Sequence, residues 1–216
     1  MKLFLLRHGQ SQNNAGLTDN LDSDLTPLGE EQAQRTGEHL KTLGIGRIYV
    51  SPLRRTLQTI APYCLSADAR AHLYPEVCEY FSANYPAYKE FPGLAPAEIR
   101  KQYPFVDVDP VNGCDDIWWP QEFENDDIVY ARAVKVRDSL QAEYGDTDEH
   151  LLIVSHSDVV GRLIEAFLRI PPVPDDPPWA DNCSLTLLES GAAEVPAHLV
   201  YQNSTDHLKG ATSNAS

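Results

Sequence analysis

The stretch LLIVSHSDVVGRL, residues 151–163, decides the fold. Leu151 to Val154 is an unbroken apolar run, the pattern of a central parallel strand whose two faces are both buried. Four polar residues follow, and then a helical pattern from about Val159 to Leu168, for which Asp158 is the expected N-cap. The same alternation repeats outward in both directions. Lys2 to Leu6 is another short apolar run, and Thr26-Pro27 is a helix start, a side-chain cap followed by a residue that needs no N–H. Ala33, Gly37 and Leu40 keep helical spacing, and Gly44 supplies the stop. Ile48 to Val50 is the next strand, Pro52 opens a helix to about Ala61, and a third strand is expected over Ala71 to Tyr74. Asn125 or Asp126 caps a long helix with Val129, Ala133, Val136 and Leu140 on one face, and two late strands are expected at Ser184 to Leu188 and His198 to Tyr201.

Strand–helix alternation predicts an α/β fold, a three-layer sandwich with a mostly parallel central sheet and helices on both faces. Residues 81–125 break the alternation. They are rich in Pro, Tyr and Trp, with one short helix expected near Ala97 to Tyr103, and read as an irregular lid insertion in a single domain of residues 1–208. Residues 209–216 are small and polar and read as a flexible tail.

With 216 residues, 42% of them hydrophobic and 23% charged, the chain can bury a core without metal or disulfide staples. Its 17 basic against 32 acidic residues give a net charge of −15, which disfavours nucleic acid and anionic membrane as partners. No apolar run approaches a membrane span, and Arg7 interrupts the opening apolar stretch too early for a signal peptide. Cys64, Cys78, Cys114 and Cys183 form no C-x-x-C pair and read as free thiols, so the cytoplasm is the expected compartment. Nothing in the pattern encodes an oligomeric state.

In an open α/β sheet, ligands bind beyond the carboxyl ends of the strands. Those ends carry Arg7 and His8, then Ser51, Arg54 and Arg55, then Glu76 and Glu79, and finally Ser155, His156 and Asp158. Each has a bland reading as a structural histidine, a solvated arginine or a helix cap. Their convergence on one sheet edge is phosphate chemistry: guanidinium captures phosphate oxygens bidentately, and imidazole can act as nucleophile or donor.

The segment LLRHGQSQNN (residues 5–14) resembles the signature of the histidine phosphatase superfamily, in its phosphoglycerate-mutase-like branch. DLTPLGEEQA (24–33), SPLRRTLQT (51–59) and VSHSDVVGRL (154–163) resemble further family segments, in the family's order. The resemblance implies that His8 is the nucleophile that becomes phosphohistidine. It implies that Arg7, Arg55 and His156 grip the phosphoryl oxygens, with Asn14 a further pocket residue. Ser157 stands where the family usually has glycine, and is expected beside the phosphate. PEVCEYF (75–81) resembles the segment holding the acid/base carboxylate, which assigns that role to Glu79, with Glu76 as the alternative. The implied activity is metal-independent hydrolysis of a small phosphomonoester, with no cofactor.

Three rivals remain at this level. A metal hydrolase could use His8, His156 and Asp158, but no H-x-H or H-E-x-x-H spacing occurs and arginines crowd the same edge. A binding module without turnover would need Glu79 misassigned. A mutase would need extra basic groups from the insertion, which offers Lys89, Arg100 and Lys101 among many acids. The aromatic set Tyr80, Phe81, Tyr85, Tyr88, Trp118 and Trp119 reads as a small core under the lid, with a stacking platform as its second reading. The acids Asp115, Asp116, Glu122, Glu124, Asp126 and Asp127 read as a solvated face.

Overall fold

The computed structural model describes residues 1–82, 93–109, 118, 122–174, 176–191 and 195–209. Among them the strands are β1 (Lys2–Arg7), β2 (Arg47–Val50), β3 (Ala71–Leu73), β4 (Val106–Asp107), β5 (His150–Ser155), β6 (Leu185–Glu189) and β7 (His198–Ser204). The helices are α1 (Pro27–Leu40), α2 (Arg54–Ala67), α3 (Pro96–Gln102), α4 (Asp126–Tyr144) and α5 (Ser157–Leu168). The strands form one sheet in the order β4-β3-β2-β5-β1-β6-β7. Pairing is parallel from β4 through β1 and antiparallel for β1–β6 and β6–β7, so the sheet is mostly parallel.

The unbroken apolar runs are explained by the two layers that cover the sheet. Phe4 and Leu6, with Leu152 and Val154, point to the side packed by Leu40, Leu57 and Ile60 of α1 and α2. Leu3 and Leu5, with Leu151 and Ile153, point to the side packed by Val129, Val136, Leu163 and Phe167 of α4 and α5. Strand side chains alternate between faces, so a strand covered on both sides is apolar at every position. The three-layer sandwich follows from that burial.

Local signals hold at several ends. Thr26 caps α1 by accepting from the Gly29 N–H, and Asn125 caps α4 by accepting from the Ile128 N–H. Gly44 lies in a left-handed turn just after α1. Other boundaries differ from the sequence reading. The second helix runs to Ala67 rather than Ala61, carrying Pro62 inside it. The cost of Pro62 is local, and α1 packs there: a Cβ on Gly37 would lie 3.1 Å from the Pro62 Cβ. The N-cap of α5 is His156, not Asp158, because β5 continues through Ser155 and Asp158 falls in the first helical turn.

The insertion is less irregular than expected where it is described, since β4 pairs with β3 beside α3. Phe81 and Trp118 join the core, and the Trp118 Nε1–H donates to Leu94 O at 2.7 Å. Tyr80 packs against the opposite core cluster. Tyr85, Tyr88, Lys89, Cys114, Asp115, Asp116, Trp119 and the tail beyond residue 209 lie outside the described residues. The acidic face needs one correction: Glu124 is buried and paired with Arg132 at 2.9 Å, and Asp126 pairs with Arg162 at 2.9 Å. Cys64, Cys78 and Cys183 are buried free thiols. No helix among the described residues is long and apolar enough to cross a membrane.

Candidate active site

Register brings the two histidines together. Arg7 of β1 lies opposite Ser155 of β5, so the next residues, His8 and His156, leave adjacent parallel strands side by side. Their rings sit 5.2 Å apart, centroid to centroid. Val50 of β2 is opposite Val154 on the other flank, which delivers Ser51 and then α2, with Arg55, to the same edge.

His8 is held in one tautomer. Its Nδ1 lies 2.7 Å from Gly9 O, and a carbonyl only accepts, so Nδ1 carries the proton. Nε2 therefore has a free lone pair, which accepts the Arg55 Nε–H at 3.1 Å. Gly9 is needed for this turn, because a Cβ there would come 2.8 Å from Gly29 O. Burial, reinforced by the Arg55 and Arg7 charges, holds His8 well below the usual imidazole range. It is neutral.

Arg55 is buried and forked across the site. Its NH1 donates to Leu21 O at 2.7 Å and its NH2 to Glu79 Oε2 at 3.2 Å. The same Glu79 oxygen lies 3.4 Å from His156 Nδ1. Glu76 is exposed in the preceding short turn, Pro75–Val77, so of the two candidate carboxylates only Glu79 reaches the histidines. His156 is fully buried, with Nε2 2.8 Å from Ser51 Oγ. Burial first, then Arg55 and His8, push His156 well below its ordinary value.

Arg7 donates from NH1 to Ala180 O at 2.7 Å, and its guanidinium carbon lies 5.2 Å from the ring centroid of Trp179. Two buried polar atoms at this edge, Arg7 Nε and His156 Nδ1, have no hydrogen-bond partner among the described residues. Leaving a buried donor unpaired costs about 1–3 kcal/mol, and an anionic oxygen accepting from it would remove that cost. Asn14 lies at the rim and accepts from Asn182 Nδ2 at 3.3 Å, while that amide also donates to His8 O at 3.0 Å. The Ser157 hydroxyl is spent on Ala180, at 3.2 Å from its oxygen and 3.3 Å from its nitrogen. What Ser157 can offer an anion is its first-turn N–H. Burial and then the Glu79 charge push the Asp158 carboxyl up to about 6.

His8, Glu79 and His156 each present one ligand-type atom within 4.8 Å of one another, the group among the described residues that could hold a metal. Arg55 donates to two of those atoms, His8 Nε2 and Glu79 Oε2. A dication would need the same lone pairs and would sit against a buried guanidinium, so the set suits an anion instead.

A family model for the histidine phosphatase superfamily (branch 1) matches residues 3–203. This chain belongs to that superfamily. A probable phosphoglycerate mutase of Klebsiella pneumoniae is 30% identical over 200 residues, 88% of this chain and 85% of that protein. A 2,3-bisphosphoglycerate-dependent phosphoglycerate mutase of Corynebacterium diphtheriae is 42% identical over 106 residues, but the match spans only 47% of this chain and 42% of that relative. Among solved structures, a mycobacterial glucosyl-3-phosphoglycerate phosphatase superposes with a TM-score of 0.66 at 24% identity, covering 94% of this chain and 99% of that one. That likeness shows the histidine phosphatase fold.

Two parts of the site were not legible beforehand. One is the clamp around the Glu79 segment: Arg132 of α4 donates from NH1 to Glu76 O and Cys78 O, both at 2.8 Å, while Glu124 accepts the Phe81 N–H at 3.1 Å. The other is Trp179, in a Pro/Asp loop with no periodicity to mark it.

Proposed function

We propose that this histidine phosphatase superfamily member hydrolyses a small phosphomonoester through a phosphohistidine on His8. The observation that carries the reading is the locked tautomer of His8, with a lone pair on Nε2 facing Arg55. A phosphate entering there takes up the unpaired Arg7 Nε and His156 Nδ1, and Arg55 turns its Nε–H from the imidazole to a phosphoryl oxygen. Nε2 then attacks phosphorus as the bond to the alcohol oxygen breaks, and Glu79 takes the proton of the bound phosphomonoester monoanion and passes it to that oxygen. Water next attacks the phosphohistidine, passing its proton to Glu79, and Nε2 leaves with its lone pair restored. Fixed cations stabilise the equatorial oxygens throughout, without a metal. Asn14 and the Ser157 N–H would complete the phosphate shell.

Hydrolysis rather than mutase transfer is favoured by how two of the nearby arginines are engaged among the described residues. Arg54 is engaged by Asp22, whose Oδ1 accepts its backbone N–H at 2.8 Å, and Arg100 donates to Val108 O. The mutase reading has its own support in the names of the relatives. A non-enzymatic binding module is disfavoured by Glu79 lying beside both Arg55 and His156. One domain through residue 208 is supported by a single sheet that uses strands from Lys2 to Ser204. Buried free thiols accord with a reducing compartment such as the cytoplasm.

The test is a panel of alkyl, sugar, phosphoserine, phosphoglycerate and nucleotide esters assayed in excess EDTA. The expected result is phosphate release from a small monoester, abolished by His8→Ala. Isomerisation of 3-phosphoglycerate without net phosphate release would instead establish the mutase, and activity that returns only with added metal would end the metal-free mechanism.

A further inference from the structure

We propose that Trp179 forms the wall of the leaving-group subsite, and that the preferred substrate is the phosphate ester of an uncharged, ring-bearing alcohol. The inference rests on the phosphatase reading for its chemistry, but its geometry stands alone. Trp179 is 59% exposed, yet it lies against Arg7, whose Nε is one of the two unpaired buried polar atoms of the site. A large indole left in water at the mouth of a buried anion site is a surface waiting for an apolar face.

Residues 177–182, which carry it, are fixed at several points. Pro177 and Pro178 seat against Gly161 of α5, where a Cβ would come within 2.7 Å of both the Pro177 Cβ and Pro178 O. Ala180 O is held by Arg7 and by the Ser157 hydroxyl. Asp181 exchanges two hydrogen bonds with Asn203, accepting at 2.8 Å and donating from its backbone at 2.6 Å. Asn182 ties the loop to His8 O. The indole itself is oriented by its Nε1–H, which donates to Asp181 Oδ1 at 2.9 Å. A carboxylate at that N–H enriches the ring face in electron density, which favours contact with C–H edges of a ring and with cations.

Charge selects the rest of the alcohol. Asp181 beside the indole and Asp158 in the first turn of α5 flank Arg7 and add negative field on this side. A leaving group bearing a carboxylate or second phosphate would be repelled, whereas a neutral ring would stack without penalty.

Benzyl and propyl esters test this, because both release an alkoxide and differ in the ring. Their non-hydrolysable phosphonates allow binding to be read separately from turnover. By calorimetry, Trp179→Ala should weaken benzylphosphonate about tenfold and propylphosphonate by a clearly smaller factor, below about threefold, as expected for loss of one stacking partner. Trp179→Phe should recover most of the benzyl affinity. In turnover the same loss should appear in KM for benzyl phosphate rather than in kcat. Equal weakening of both phosphonates, or no change in either, would overturn the proposal and leave Trp179 as a cover for Arg7. Failure of the wild-type protein to release phosphate from these esters or from any ester of the wider panel would sink the phosphatase reading instead, with the calorimetric comparison still deciding the role of Trp179.

Discussion

Arg55 donates its Nε–H to Nε2 of His8 across 3.1 Å, so the guanidinium guards the lone pair that the mechanism needs. The same fork reaches Glu79, which links the proposed nucleophile to the proposed acid through one side chain. Desolvation and the neighbouring arginines keep the imidazole unprotonated, and its Nδ1–H on Gly9 O keeps the lone pair on the correct nitrogen. In the proposed mechanism His8, Arg55 and Glu79 are thus assembled before phosphate arrives.

The role of Glu79 is separable by leaving group. A general acid contributes about 10²–10⁴-fold when the departing alkoxide is strongly basic, and little for a nitrophenolate. Glu79→Gln should therefore cut turnover of alkyl phosphates by about that factor while phosphorylation of His8 by nitrophenyl phosphate persists and the adduct accumulates. Rapid-quench kinetics checks both. Glu76→Gln should behave as wild type, since its side chain is exposed in the preceding turn.

Arg132 is a positioning residue for Glu79. Its guanidinium spans Glu76 O, Cys78 O and the Glu124 carboxylate, holding the backbone that carries the acid. Arg132→Lys keeps the charge beside buried Glu124 but loses the fork. It should lower alkyl phosphate turnover about tenfold, with a smaller effect on nitrophenyl phosphate. Combined with Glu79→Gln it should add nothing further, because both act on one step. Full additivity of the two losses would show that Arg132 acts elsewhere.

The legible parts of this molecule are those with local signatures. Leu3 to Leu6 and Leu151 to Val154 read as central strands because both faces are buried, and Thr26 and Asn125 read as caps from chemistry alone. The strand ends then named His8, Arg7, Arg55 and His156, since parallel register places consecutive strand ends at one edge. The second helix continues through Pro62 to Ala67, past the expected end near Ala61, and packs there against Gly37 of α1. The two-residue β4 is too short to have a period, and Glu124 looked solvated because its partner, Arg132, lies in the following helix. Trp179 left no trace, being a single exposed ring whose meaning comes from Arg7, distant in sequence.

Buried neutral histidines predict acid sensitivity with a definite sign. A histidine lowered in the folded state binds fewer protons than the unfolded chain below about pH 6.5, so stability is present above that pH and is lost as pH falls through it. His156→Gln should therefore lose less stability than wild type between pH 7.5 and 5.5 in urea denaturation. Parallel pH dependences would show that His156 is protonated in the folded protein.

The central claim, covalent catalysis by His8, is tested most directly by trapping the intermediate. Brief mixing with labelled phosphomonoester, an alkaline quench and peptide mapping should recover label on His8 as an alkali-stable, acid-labile adduct that decays at the rate of turnover. Label on another residue, or undiminished turnover by His8→Ala, would contradict the account.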